Sequence, residues 1–357
     1  MQDKAVNNFN PAQENYLSAQ MNKVSRSFAV VVSVLEQPLR GYLSIAYLLC
    51  RVADNIEDCE FPLDWKKERF SEFIHLLGNP SKAGKVLEYW DEVSWSGLTL
   101  DEENLMRFSA GRDLWNTYAS IRSVEQEIIQ RWITVMADGM SHIGEVGYPP
   151  AFIEEQGVQL LAGKNDYDDY CYLVAGTVGH MATELVIDYY NLNEEASNEA
   201  LRTCEACGRA LQKTNILKDF MEDLERGISY LPGEWLREAD YAPLRLEGAR
   251  LDWKQMVFED ILSELNTATE HVLALPKHAT GYRMATLLCL LPALQTNLLA
   301  AKRRDQLFTR NHTYKISRLA MSKCLLDARR MVQKDDQILA YSQRMQAEVG
   351  MKLSHRM

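Results

Sequence analysis

Two short acidic runs carry the residue types and spacing best suited to chemistry. Asp54-Asn55-Ile56-Glu57-Asp58 places carboxylates at i, i+3 and i+4, and Asp219-Phe220-Met221-Glu222-Asp223 repeats the same DxxED pattern. On a helix, each set of three shares one face. Like charges on one turn repel by roughly a few tenths of a kcal/mol per pair, so folding alone gives no reason for the arrangement. Divalent cations do. Magnesium takes hard oxygen ligands, keeps several waters and commonly links one or two carboxylates to substrate phosphates. Two such turns facing each other across a helical bundle would grip a diphosphate. Either run alone reads as a solvated acidic face. Two matched runs behind helical approaches favour the ligand reading, most clearly at the first, where Leu43 to Ala53 reads LSIAYLLCRVA; Ala210 to Lys218, ALQKTNILK, is more mixed.

The neighbours of these runs have complementary chemistry. Arg51 precedes Asp54 by three residues on the same helical face, where its guanidinium can hold phosphate oxygens in a fork. Gln212 and Asn215 precede Asp219 by seven and four residues and share its face. Their neutral amides can bind phosphate or a metal-bound water without adding negative charge.

The elements that must position these groups are helices. Only 10 prolines and 18 glycines are spread over 357 residues, and long stretches rich in Ala, Leu, Met, Glu, Lys and Arg have helical periodicity. The chain therefore reads as all-α: a single large helical bundle of about ten helices by ordinary helix length. Breaks fall at Gln37-Pro38, Phe61-Pro62, Gly78-Asn79-Pro80, Gly147 to Pro150, Gly163-Lys164-Asn165 and Leu231-Pro232-Gly233. No linker or composition shift divides the chain, so residues 1–357 read as one domain, with a flexible start of about 20 residues and a flexible end of about 10.

Composition bounds the rest. With 46% apolar and 25% charged residues, the chain has a globular balance. A net charge of −11 argues against general nucleic-acid binding, which needs clustered Lys and Arg. Seven cysteines without a dense spacing pattern point to a reducing compartment, the cytoplasm by default, and the lone Cys204/Cys207 pair reads as packing. Met1-Gln2-Asp3-Lys4 lacks the blocks of a secretory signal. Met284 to Ala301, interrupted by Pro292, Gln295 and Asn297, reads as a buried core helix and not a membrane span.

The local wording then identifies a family. Ser25-Arg26-Ser27-Phe28, followed by Tyr47, Arg51 and the first DxxED, resembles the opening of the squalene and phytoene synthase family. Tyr170-Cys171-Tyr172-Leu173-Val174-Ala175-Gly176-Thr177-Val178-Gly179 resembles its central motif, and Leu211-Gln212-Lys213-Thr214-Asn215-Ile216 leads into the second DxxED as in the family. Order and spacing agree from about residue 20 to about residue 235.

The resemblance implies an isoprenoid synthase fold with a central cavity, and a magnesium-dependent prenyl transferase joining two farnesyl diphosphates head to head through a cyclopropyl diphosphate. Asp54, Glu57, Asp58, Asp219, Glu222 and Asp223 would then organise Mg2+, and Arg26, Ser27, Arg51, Gln212 and Asn215 would hold diphosphate. Tyr47 and Tyr170 join Arg51 as catalytic candidates. Tyr170 or the released diphosphate would take the proton. Gly176 and Gly179, each disfavouring a helix by about 1 kcal/mol, read equally as room for a prenyl chain or a kink and as close helix packing.

Squalene-forming members reopen the ring with hydride from NADPH, whereas dehydrosqualene and phytoene synthases lose a proton and need no nicotinamide. The wording Tyr170-Cys171 and Leu211 to Asn215, and the 134 residues after Asp223, look closer to the squalene group. Tyr314-Lys315-Ile316-Ser317-Arg318 falls where that group carries a basic KIR segment, which makes Lys315 and Arg318 candidates for a nicotinamide phosphate; Ser317 interrupts the pattern. A soluble enzyme is implied, drawn at most to a membrane periphery by its greasy substrate.

Overall fold

A computed structural model of the chain describes residues 9–309 and 314–354. The polar start Met1–Lys4 and the last three residues of the expected flexible end lie outside them. The described residues fall into two compact units interleaved along the chain. The first takes the residues up to His142 with His180–Leu192, and the second takes Ile143–Gly179 with the chain from Asn193 onward.

The first unit contains α1 (Pro11–Val24), α2 (Arg26–Ser33), α3 (Leu39–Asp58), α4 (Leu63–Gly78), α5 (Ala83–Glu92), α6 (Leu100–Glu103), α7 (Phe108–Ala119) and α8 (Ser123–Ser141). The start of the chain, expected to be flexible, is instead helical from Pro11. Asn10 and Gln13 form a reciprocal capping box at the start of α1. Leu17 and Met21 are buried, and Tyr16 donates to the Ala110 carbonyl at 2.7 Å. At the centre lies α3, whose face of Ile45, Leu48, Leu49, Val52, Ala53 and Ile56 is almost wholly buried against α1, α4 and α8. Removal of that apolar surface from water stabilises the unit, at about 25 cal/mol per Å². Phe61-Pro62 prevents the helix from continuing, and α4 starts directly after the proline.

The second unit contains α9 (Lys164–Cys171), a π-helical turn (Tyr172–Gly176), α11 (Glu194–Glu225), α12 (Gly233–Glu238), α13 (Leu251–Ala274), α14 (Thr280–Lys302), α15 (Arg318–Met331) and α16 (Asp335–Ser354). Helix α10 (Thr177–Tyr190) starts in this unit and has its residues from His180 in the first. Asn193 caps α11 by accepting from the Ala196 amide at 2.9 Å, and Gly227, with φ +80°, terminates it. The end of the chain, also expected to be flexible, is helical to Ser354, with Val349 and Leu353 buried.

Helix α14 is the core helix that the sequence suggested, and it runs through Pro292 instead of stopping there. It is the one helix among the described residues long and apolar enough to cross a membrane, and 78% of its apolar window is buried inside the fold.

Sixteen α-helices among the described residues exceed the ten expected, because several are short pieces between breaks. A small sheet was not foreseen. Strands β1 (Phe152–Glu155) and β2 (Val158–Leu161) pair antiparallel across Gln156-Gly157, both with positive φ as a tight hairpin requires, and β3 (Ile228–Ser229) adds parallel to β2.

Candidate active site

The first DxxED occupies the last turns of α3. Carboxylates there sit at the negative end of the helix dipole, and no basic residue lies in that last turn to offset them. Arg51 provides one local counter-charge, with its two terminal nitrogens 3.0 Å from Asp54 Oδ2 and 3.1 Å from Glu102 Oε1. Glu102 is held in turn by the capping box of α6, where its other oxygen accepts from the Thr99 amide at 2.9 Å. Asn55, buried, donates to the Glu102 carbonyl at 2.8 Å. Glu102 is thus a site neighbour that the reading of the sequence missed, although Thr99 and Glu102 have the spacing of a capping box.

Burial pushes the Asp54 carboxyl up to about 6; Arg51 opposes the rise and Asp58 adds to it. Arg51 alone therefore leaves this turn short of positive charge. Tyr47, one turn before Arg51, stacks on Phe28 of α2 at 4.8 Å between ring centres. Burial holds its hydroxyl above the ordinary range, partly offset by a hydrogen bond with Ser25. Ser25 also caps α2 by accepting from the Phe28 amide at 3.3 Å. Arg26 and Ser27 follow as the exposed first residues of that helix, where backbone amides and a guanidinium favour an anion.

The second DxxED lies in the last two turns of α11, again with no basic residue in the last turn of the helix. Lys218 lies 2.8 Å from Asp219 and donates to Asn215 Oδ1 at 3.2 Å, so one ammonium ties together two of the predicted residues. Asp223 is buried and meets Arg226 at 3.1 Å. Gln212, Asn215 and Asp219 follow one another along one face of α11, as their spacing predicts.

Lys315 comes to 3.5 Å from Glu222. Ser317, which breaks the basic pattern, is the N-cap of α15 and accepts from the Ala320 amide at 3.1 Å. Arg318 is the exposed first residue of that helix. Among the described residues, no group of three or more His, Cys, Asp or Glu closes into a metal cage. Hard oxygen donors on each turn suit magnesium that completes its shell with water and phosphate oxygens.

Tyr170 is buried on α9 and stacks on Tyr230 at 4.5 Å, a partner the sequence did not indicate. The π-helical turn follows at once and ends at Gly176, with Gly179 just beyond it in α10. A Cβ on Gly179 would lie 2.4 Å from the Cys204 carbonyl oxygen, and one on Gly176 2.9 Å from Tyr172 and 3.0 Å from Glu205. Gly179 packs closely on the backbone of α11, and Gly176 leaves room for the Tyr172 ring and the Glu205 side chain. The CxxC residues are packing too: Cys204 is buried, and burial pushes the Cys207 thiol far up.

A family model described as squalene/phytoene synthase matches residues 21–320. The chain belongs to that family. Squalene synthase ERG9 of Saccharomyces cerevisiae is 30% identical over 265 residues, which are 73% of this chain and 54% of that protein. The human squalene synthase is 25% identical over 218 residues, 61% of this chain and 46% of that protein. The chain thus spans about half the length of the curated relatives it matches. Among solved structures, TcSQS with the ligand BPH1237 superposes with a TM-score of 0.77 at 22% identity, covering 97% of this chain and 92% of that one. A dehydrosqualene synthase complex gives 0.61 at 19% identity, covering 90% and 97%. These likenesses establish the all-helical isoprenoid synthase fold for this member of the squalene/phytoene synthase family.

Proposed function

We propose that the protein is a squalene synthase, joining two farnesyl diphosphates head to head to presqualene diphosphate and reducing that intermediate with NADPH. One observation carries the reading: two DxxED turns end long helices, at the pole of the helix dipole that disfavours carboxylates, in a member of the squalene/phytoene synthase family. A fold with no use for cations would gain nothing from that placement. Asp54, Glu57 and Asp58 on one turn, and Asp219, Glu222 and Asp223 on the other, would hold Mg2+ against diphosphate oxygens. The bound ions would offset the charge that develops on the departing diphosphate.

The side chains of the protein do the rest. Arg51, already oriented by Asp54 and Glu102, presents its fork to phosphate. Arg26 and Ser27 offer a cation and amides at a helix start, and Gln212 and Asn215 add neutral donors beside Asp219. Tyr47, stacked on Phe28, and Tyr170, stacked on Tyr230, are the rings that would stabilise an allylic cation. Lys315 and Arg318 would hold the phosphate of NADPH, which would supply the hydride for the reductive step.

The second reading is a dehydrosqualene or phytoene synthase, favoured only by the interruption of the basic segment at Ser317. The test of the shared first step is diphosphate release from farnesyl diphosphate with and without Mg2+, in the wild type and in Asp54→Asn and Asp219→Asn. Release that needs the metal and falls at least about a hundredfold in either variant supports the proposal. Metal-independent release, or unchanged turnover in both variants, sinks it.

A further inference from the structure

Lys213 is 1% exposed, and its ammonium lies 2.7 Å from Asp168, 2.9 Å from Asp260 and 3.0 Å from Glu264. It also stands 5.0 Å from the centre of the Tyr167 ring. The carboxylates come from different elements: Asp168 from α9, and Asp260 and Glu264 from successive turns of α13. Lys164 adds a second ammonium 2.9 Å from Asp260 and meets Asp168 as well, while Arg209 reaches Glu264 at 3.0 Å and Glu205 at 2.7 Å. The result is an ionic knot between α9, α11 and α13, closed around the buried Lys213. Burial disfavours the Lys213 ammonium, yet the carboxylates outweigh it and keep it charged.

Apolar side chains would hold three helices together at lower desolvation cost, so a buried ion pair is weak evidence for stability and better suited to fixing one arrangement. What it fixes here is specific. On α11, Lys213 directly follows Gln212 and precedes Asn215 and Asp219, so anchoring it sets which way those three project. On α9, Asp168 lies two residues before Tyr170, which stacks on Tyr230. One ammonium thereby ties the helix that carries the second carboxylate turn to the helix that carries the candidate catalytic tyrosine.

We infer that Lys213 is a positioning residue, which holds Tyr170 and the Gln212-Asn215-Asp219 face in register by clamping α9 and α13 onto α11. The inference rests on the proposed roles of Tyr170 and Asp219. It predicts losses of function that do not follow stability, because a displacement of about 1 Å at a reacting group can cost about a hundredfold in rate.

The experiment uses the full chain and three variants: Lys213→Met, the charge-balanced pair Lys213→Met with Asp260→Asn, and Asp168→Asn. Each is measured for thermal unfolding, for Mn2+ binding by electron paramagnetic resonance with inorganic diphosphate present, and for diphosphate release from farnesyl diphosphate. The balanced pair should unfold close to wild type, yet bind Mn2+ roughly tenfold more weakly and turn over about tenfold more slowly or worse. Asp168→Asn, which cuts the direct tie between Lys213 and α9 and leaves the ties of Lys213 to α13, should lose turnover with Mn2+ binding unchanged. A balanced pair restored to wild type in stability, metal binding and turnover together overturns the inference. So does full turnover in Asp168→Asn, which decides the matter even if both Lys213 variants fail to fold. A wild type that releases no diphosphate defeats the proposed function instead, a result separate from either of these.

Discussion

The ammonium of Lys315 lies 3.5 Å from a carboxylate oxygen of Glu222, so the basic segment ahead of α15 reaches the second acidic turn directly. This contact puts the segment beside one of the carboxylates proposed to hold Mg2+. Both side chains are at least half exposed, at 62% and 50%, so the pair itself contributes less than about 1 kcal/mol to stability. Lys315→Ala should therefore unfold like the wild type. It should raise the KM for NADPH about tenfold, with the first diphosphate release little changed. An altered Mg2+ requirement with unchanged NADPH dependence would assign Lys315 to Glu222 alone.

Arg51 tests whether geometry or charge matters at the first turn. Lys in its place keeps the charge but cannot bridge Asp54 and Glu102 as the guanidinium does. Arg51→Lys should lower kcat about a hundredfold with a change in unfolding free energy below about 1 kcal/mol. Steady-state kinetics beside urea denaturation separate the two, and full activity in the Lys variant would show that the fork is dispensable.

Glycine substitutions should split by their surroundings. A Cβ on Gly208 would lie 2.0 Å from the Ala175 carbonyl oxygen, a backbone atom that cannot swing away, whereas Gly350 in α16 has nothing within 4 Å. Gly208→Ala should cost about 1–3 kcal/mol. Gly350→Ala should stabilise by about 0.5–1 kcal/mol, since alanine is the better helix former. Urea midpoints measure both.

Arg283 should prove the most sensitive buried charge outside the site. It is fully buried on α14 and donates to the carbonyls of Val272 at 2.7 Å, Leu275, and Val332 at 2.9 Å, with Asp335 at 2.5 Å. Arg283→Met leaves those acceptors without it and should cost about 3 kcal/mol. The pH dependence follows from its partner. Burial raises the Asp335 carboxyl, but hydrogen bonds from Lys277 and Arg283 outweigh this and leave it below the ordinary value of 3.8. A depressed folded-state value contributes stability that is present above the unfolded value and lost as pH falls through the folded one. Unfolding followed from pH 6 to pH 3 should therefore show a steeper acid loss in the wild type than in Asp335→Asn.

Much of this was legible in the chain because helical periodicity is local. The faces that carry Asp54, Glu57 and Asp58, and Gln212, Asn215 and Asp219, follow from spacing alone. Glu102 and Tyr230 were not legible, since each meets its partner only after distant segments fold together. The same holds for Lys213, whose carboxylates lie far from it on both sides in sequence. The helices near the termini were hidden for a different reason. Pro11–Val24 has only a weak amphipathic pattern and declares itself through the surface that it covers. The hairpin Phe152–Leu161 was too short to stand out, although Gln156-Gly157 is a turn pair.

The most direct test of head-to-head condensation is identification of the products from farnesyl diphosphate and Mg2+, with and without NADPH. Presqualene diphosphate is expected when the nicotinamide is withheld, and squalene when it is supplied. A cyclic product from a single farnesyl unit would contradict the condensation itself, and dehydrosqualene formed with NADPH present would contradict the reductive step.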